Sequence, residues 1–275
     1  TGLAIGLYVV MISLSGTVLI YRSELRQRFD PQPRPVAVAG PRLSEDELVE
    51  ITRRRFPEHT VEVWTNPEDP SLAVTMSTLR EGEARQQYFF DPYTGDYLGN
   101  ALPAGWRFTT WLLDLHDNLL AGGGGRAVNG VGAILLTLLG LTGALVWWPG
   151  VAGWRRALLV DWRAPWRRFN WTLHGALGIW TVLFLVMWGA TGIYLAFPAP
   201  FGAVVDYLEP FDEDFNPRLG DTILYWFTAL HFGRFGGWTT KLAWTVVGLV
   251  PPVIFATGVV MWWTRVIRPR LAANR

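Results

Sequence analysis

Four stretches of this chain contain no Asp, Glu, Lys or Arg: Thr1–Tyr21, Ala127–Trp148, Trp171–Phe197 and Leu242–Trp263. Each is long enough to cross roughly 30 Å of hydrocarbon at about 1.5 Å of rise per residue. Their apolar residues are bunched rather than spread periodically along a soluble core. The expectation is a polytopic α-helical membrane protein with four transmembrane helices.

Charge orients those helices. The near-neutral total of +1 hides a strong local asymmetry. Residues 149–170 carry five arginines against the single acid Asp161, and the tail "TRVIRPRLAANR" carries arginines and no acid. Short basic loops stay in the cytoplasm, so 149–170 and 264–275 are expected inside. The acidic loop and lead-in of 198–241, and the long region 22–126, are then expected on the extracytoplasmic side. There is no cysteine, so disulfides, thiolate metal sites and thiol nucleophiles are excluded. The chain opens inside an apolar helix without a flanking charge, and residues before Thr1 are expected.

Between the first two spans, 22–105 read as a small α+β module with a Pro-rich linker. "LSEDELVEITRRRFP" has Ser44 as a helix N-cap, acids in the first turn and arginines in the last. "TVEVWTN", "SLAVTMST" and "RQQYFFDPYTGDYLGN" alternate apolar and polar residues and end in turn chemistry, so they read as strands.

The membrane part repeats internally. With Leu115-His116 laid on Leu230-His231 without gaps, Arg126 meets Lys241, Thr142-Gly143 meets Thr257-Gly258, and Trp147-Trp148 meets Trp262-Trp263. The third span matches the first in the same way. Ser15-Gly16 pairs with Thr191-Gly192, and Gly2 with Gly178. The counterpart of His174 falls just before Thr1, where the repeat expects a histidine. The expected architecture is two copies of a helix pair, with the module inserted in the first.

In this order and spacing, "TGLAIGLYVVMISLSGTVLIYR", "YFFDPYTGDYLG", "LHDNLL…GR…GLTGALVWWPG", "WTLHGALGIW…ATGIYL" and "LHFG…ATGVVMWW" resemble the PepSY-associated transmembrane family. The resemblance covers nearly the whole chain and implies a bacterial inner-membrane protein tied to iron uptake. Some members of that family are haem b-containing reductases of ferric siderophores. One departure is that the family's usual histidine before the first span has no counterpart in this chain.

Four histidines are present. His59, in "FPEHTVEV", reads as a solvated loop residue of the module. The other three stand at repeat-related positions, and an ionisable ring at membrane depth points to function. Neutral imidazole ligates haem iron, and two of them on one haem suit electron transfer because no open position remains for oxygen. The resemblance therefore implies two haem b groups. The outer one lies between His116 and His231, and the inner one uses His174 with the partner expected upstream. His116 and His231 each lie on an amphipathic lead-in, within 106–148 and 198–241, followed by the glycine-rich breaks "AGGGGR" and "GRFGGW". Arg126, Lys241 and Arg234 are the candidates to pair with propionates of the outer haem.

No G-x-G-x-x-G follows a strand, so no nicotinamide or flavin site is expected, and nothing points to nucleic acid. Electrons would come from quinol or a partner reductase, and the implied acceptor is a ferric-siderophore or similar iron chelate. Two other readings stay open. One is a cofactor-free membrane protein whose module binds a partner or a peptidase. The other is an accessory subunit of a larger membrane electron-transfer complex. The histidines, Thr/Ser-Gly pairs and Trp pairs would then be helix-packing and interfacial devices.

Overall fold

The computed structural model describes residues 2–80, 85–211 and 216–273. They form two compact units, Thr1–Tyr21 with Leu112–Arg275, and Arg22–Trp111. Part of the expected acidic loop (212–215) and the end of the basic tail (274–275) lie outside the described residues.

In chain order, α1 (Gly2–Leu19) is followed by α2 (Arg22–Arg28), α3 (Glu45–Arg55) and strands β1 (Thr60–Thr65), β2 (Val74–Leu79), β3 (Gln86–Phe90) and β4 (Tyr97–Asn100). Then come α4 (Ala104–Asn118), α5 (Gly122–Trp147), α6 (Trp154–Ala157), α7 (Trp166–Ala196), α8 (Pro198–Leu208) and α9 (Leu219–Phe232). The chain closes with α10 (Gly237–Gly248), α11 (Val250–Trp262), a π-helical turn (Trp263–Ile267) and α12 (Arg268–Ala273). Among the described residues three helices are long and apolar enough to cross a membrane: Gly122–Trp147, Trp166–Ala196 and Gly237–Leu271. A fourth is reached when α1 and α2 are counted as one broken span.

The bundle is built inside out relative to a soluble domain. Its exterior carries Leu145, Val146, Leu183 and Trp180, all strongly exposed. Its interior buries Ser15, Thr17, Ala176, Thr181, Thr191 and Thr257 with Gly130, Gly140 and Gly189. Lipid tails are as apolar as leucine, so helices associate by close packing of small residues and by hydrogen bonds rather than by burying leucine. Hydroxyls in the interior bond the carbonyl four residues back, as Thr181 does to Leu177 and Thr17 to Ser13. Others cross between helices. Ser13 Oγ donates to Gly248 O, Asn170 Nδ2 donates to Thr257 O at 2.9 Å, and Tyr21 Oη meets Thr245 Oγ1 at 3.0 Å.

The second unit holds an antiparallel meander in the order β1-β2-β3-β4. Leu48 of α3 is fully buried against Val74, Met76 and Phe90 of the sheet, with Val61 beside them. Ser44 caps α3 in a reciprocal box. Its Oγ accepts from Glu47 N, and Glu47 Oε2 accepts from Ser44 N at 2.8 Å. These bonds favour the ionised carboxylate and hold Glu47 below its usual range. The "DPYTGD" stretch, read within a strand, turns the chain between β3 and β4. Asp91 Oδ1 accepts from Tyr93 N at 2.8 Å, and Gly95 takes the left-handed φ of 76°.

Elsewhere the structure departs from the sequence reading. The "AGGGGR" break is helical from Gly122. The reversal happens just before it, where Leu119 and Leu120 adopt left-handed φ values of 54° and 60°. Such leucines cost roughly 1–2 kcal/mol each. The segment after α7, expected to be a loop, begins with α8, whose Pro198 sits at the first turn where its missing N–H is tolerated. Arg218, its guanidinium largely shielded, ties this segment to α9 by bonding Asp206 at 2.7 Å and Asp221 at 2.8 Å.

Leu48 tests the packing of the module. Leu48→Ala is expected to lower stability by about 2–5 kcal/mol, read from thermal unfolding of the full chain in detergent. A loss below about 0.5 kcal/mol would mean that Leu48 is not at the centre of the core.

Candidate functional site

Three of the four histidines lie in the bundle unit, at two places along α7. His174 stands in the first third of that helix and Thr191 near its end. Their separation of seventeen positions corresponds to about 25 Å of helix.

At the Thr191 end, α4 and α9 bring His116 and His231 together with ring centroids 6.3 Å apart and planes at 61°. His116 Nδ1 lies 3.0 Å from Ser15 Oγ of α1 and 3.0 Å from Ile12 O. His231 Nδ1 lies 2.9 Å from Thr191 Oγ1 of α7. Donor roles follow from the network. A carbonyl only accepts, so the His116 Nδ1 facing Ile12 O carries the proton. The Ser15 hydroxyl reaches Met11 O at 2.8 Å, and that of Thr191 reaches Met187 O at 2.7 Å. Each gives its one proton to its own helix and accepts from imidazole. Both rings are therefore Nδ1–H tautomers whose Nε2 keeps a lone pair. Both lie outside the membrane-crossing helices, and burial pushes both below the usual histidine range. They stay neutral, which is the ligating form.

The backbones behind these rings are pinned. Asn129 Nδ2 of α5 donates to His116 O at 2.7 Å and Asp117 O at 3.0 Å, while its Oδ1 accepts from Tyr8 Oη at 2.6 Å. Trp244 Nε1 of α10 donates to Leu230 O at 2.8 Å. Asn129 and Trp244 stand 115 positions apart, the same offset that relates His116 to His231.

At the other end, His174 Nδ1 meets Thr257 Oγ1 of α11 at 2.8 Å, and that hydroxyl reaches Ile254 O at 2.9 Å. Here too Nδ1–H is the donor and Nε2 is left over. His174 opens on a cavity of about 1000 Å³ between α1, α5, α7 and α11. Gly140, Gly143, Gly175, Gly178 and Gly258 are among its lining residues. A Cβ at Gly143 or Gly178 would meet nothing within 4 Å, so open space lies against these backbones.

These observations fit a porphyrin. Two imidazoles gripping one ion from opposite sides, with metal–nitrogen bonds of about 2.0 Å, hold their ring centroids roughly 6 Å apart, close to the 6.3 Å found here. Among the described residues no group of three or more His, Cys, Asp or Glu is arranged to hold a metal ion. Two imidazoles alone make a sparse cage for a bare ion, whereas a porphyrin would supply the remaining donors itself.

The remaining candidates are engaged with other side chains. Arg126 on α5 forms an ion pair with Asp117, next to His116. Arg234 lies over the Phe232 ring at 4.9 Å, and Lys241 lies over Trp238 at 5.4 Å. His59 sits in the other unit, its ring 5.6 Å from that of Phe56. Sequence reasoning missed Ser15, Thr191 and Thr257 as imidazole partners. The signal was present in the repeated hydroxyl-glycine pairs, which read as packing devices. Asn129, a lone amide in an apolar run, was the other available clue.

A family model described as the PepSY-associated TM region matches residues 1–217 and 209–265. A search of curated proteins found no match.

Glycine spacing around the rings can be tested directly. A Cβ at Gly16 would come within 2.8 Å of His116 Cε1, so Gly16→Ala is expected to cost about 1–3 kcal/mol by overpacking. Gly143→Ala faces open space and is expected to be neutral or to stabilise α5 by up to about 1 kcal/mol. Thermal unfolding of the two variants side by side checks this ordering, and equal effects would contradict it.

Proposed function

The chain belongs to the PepSY-associated transmembrane family, and from that premise we propose that it is a haem b electron-transfer protein of the bacterial inner membrane. In this reading it reduces a ferric-siderophore or similar iron chelate at the extracytoplasmic face. The observation that carries the proposal is the facing of His116 and His231 at 6.3 Å, each with Nδ1 tied back and Nε2 free.

A haem held between two such imidazoles supplies one-electron chemistry with no open axial position for oxygen. The chain's own residues do the rest. His116 and His231 remain neutral because the bundle shields them from water. Ser15, Thr191, Asn129 and Trp244 fix the rings and the helix ends that carry them. His174 offers a third Nε2 to the glycine-lined cavity. The repeat places Thr142-Gly143, which corresponds to Thr257-Gly258, where an opposing imidazole would bind. Arg126, Lys241 and Arg234 are the cations that would neutralise carboxylates of a group bound at the outer pair once released from their present partners.

The basic 149–170 segment places the His174 end at the cytoplasmic face. An electron entering there, from quinol or a partner reductase, would leave at the His116/His231 end. Hard oxygen ligands hold Fe(II) less tightly than Fe(III), so one-electron reduction of a ferric chelate loosens the metal for uptake.

Purified protein from haem-replete cells is expected to show a reduced α-band of b-type cytochromes. His116→Ala and His231→Ala are each expected to remove the outer haem, cutting haem content by roughly half under bis-imidazole ligation, and to slow reduction of added ferric chelate. Colourless protein would overturn the proposal. Unchanged haem content in both variants would move the site elsewhere.

A further inference from the structure

Three imidazoles in the bundle meet the same two-residue device. His116 faces Ser15-Gly16, His231 faces Thr191-Gly192, and His174 faces Thr257-Gly258. In each case the hydroxyl sits 2.8–3.0 Å from Nδ1. The glycine's absent Cβ leaves room for the Cε1 edge of the ring, at 2.8 Å for Gly16, 3.8 Å for Gly192 and 3.5 Å for Gly258. We propose that these hydroxyl-glycine pairs are positioning residues that lock each histidine in the Nδ1–H tautomer and set the electron richness of its Nε2. The inference deepens the haem reading and rests on it for its redox consequence. The tautomer itself is a property of the bare protein.

The physical argument is one of proton placement. Each hydroxyl has a single proton and gives it to a carbonyl of its own helix, so toward imidazole it is an acceptor. An acceptor at Nδ1–H pulls that proton outward and makes Nε2 the better donor to a metal, which stabilises the ferric over the ferrous state. The three positions are not equivalent. His116 has Ile12 O as a second acceptor at 3.0 Å. For His231, among the described residues, Thr191 is the partner that Nδ1 bonds. Loss of Ser15 should therefore be buffered, and loss of Thr191 should not.

The test uses Thr191→Val, Thr191→Ser and Ser15→Ala in the full chain, each prepared with and without haem. Nitrogen-15 NMR of histidine-labelled haem-free protein reads the tautomer, and a redox titration with haem binding reads the consequence. Thr191→Val, nearly isosteric, is expected to mix the His231 tautomers, weaken haem binding about 10- to 100-fold and raise the midpoint potential of that site. Thr191→Ser is expected to restore all three readings. Ser15→Ala is expected to keep the His116 tautomer. An unchanged tautomer and potential in Thr191→Val would overturn the inference, as would an Nε2–H tautomer in the parent protein. If the parent protein takes up no haem, the proposed function falls, while the haem-free spectra still decide whether the pairs lock the rings.

Discussion

The arrangement depends on one contact, an imidazole Nδ1–H bonded to a hydroxyl on a neighbouring helix. A histidine in an apolar bundle has two nitrogens that lipid cannot satisfy. Here Nδ1 is taken at three sites by Ser15, Thr191 and Thr257. What remains is a lone pair on Nε2, directed away from that bond by the shape of the ring. Hydroxyls already bonded to their own helix serve well, because they have no proton left to offer. The bundle thus keeps its rings oriented and able to ligate with hydroxyls rather than acids at Nδ1.

The same constraint explains why the interior is rich in glycine, serine, threonine and alanine while many leucines, valines and tryptophans face outward. Small residues bring the helices close enough for hydroxyls to reach across. They also leave the cavity beside His174, where a Cβ at Gly143 or Gly178 would meet nothing within 4 Å. In the module the ordinary rule returns. Leu48, Val74, Met76 and Phe90 form a buried core, and the charged residues lie outside.

Much of this was legible in the sequence because the signals were long or local. The uncharged apolar stretches marked candidate spans, and the N-cap at Ser44, with acids after it and arginines at the far end, marked α3. The offset of 115 between His116 and His231 singled out the pair that the structure brings together with ring centroids 6.3 Å apart. Their tautomers were not legible, since those depend on which hydroxyl of a distant helix lies within 3 Å. Nor was the order of prominence at the two ends. His174 read as a ring without a partner, yet it opens on a large glycine-lined cavity. The glycine run after α4 misled for a clear reason. Glycine permits a turn without requiring one, and the reversal fell on Leu119 and Leu120 instead.

The reading we propose is that His116 and His231 would together hold one haem iron. Electron paramagnetic resonance of the oxidised, purified protein tests it most directly. Ligation by two imidazoles predicts low-spin ferric haem with no high-spin fraction at neutral pH. A dominant high-spin signal, or protein that carries no ferric haem, would contradict it.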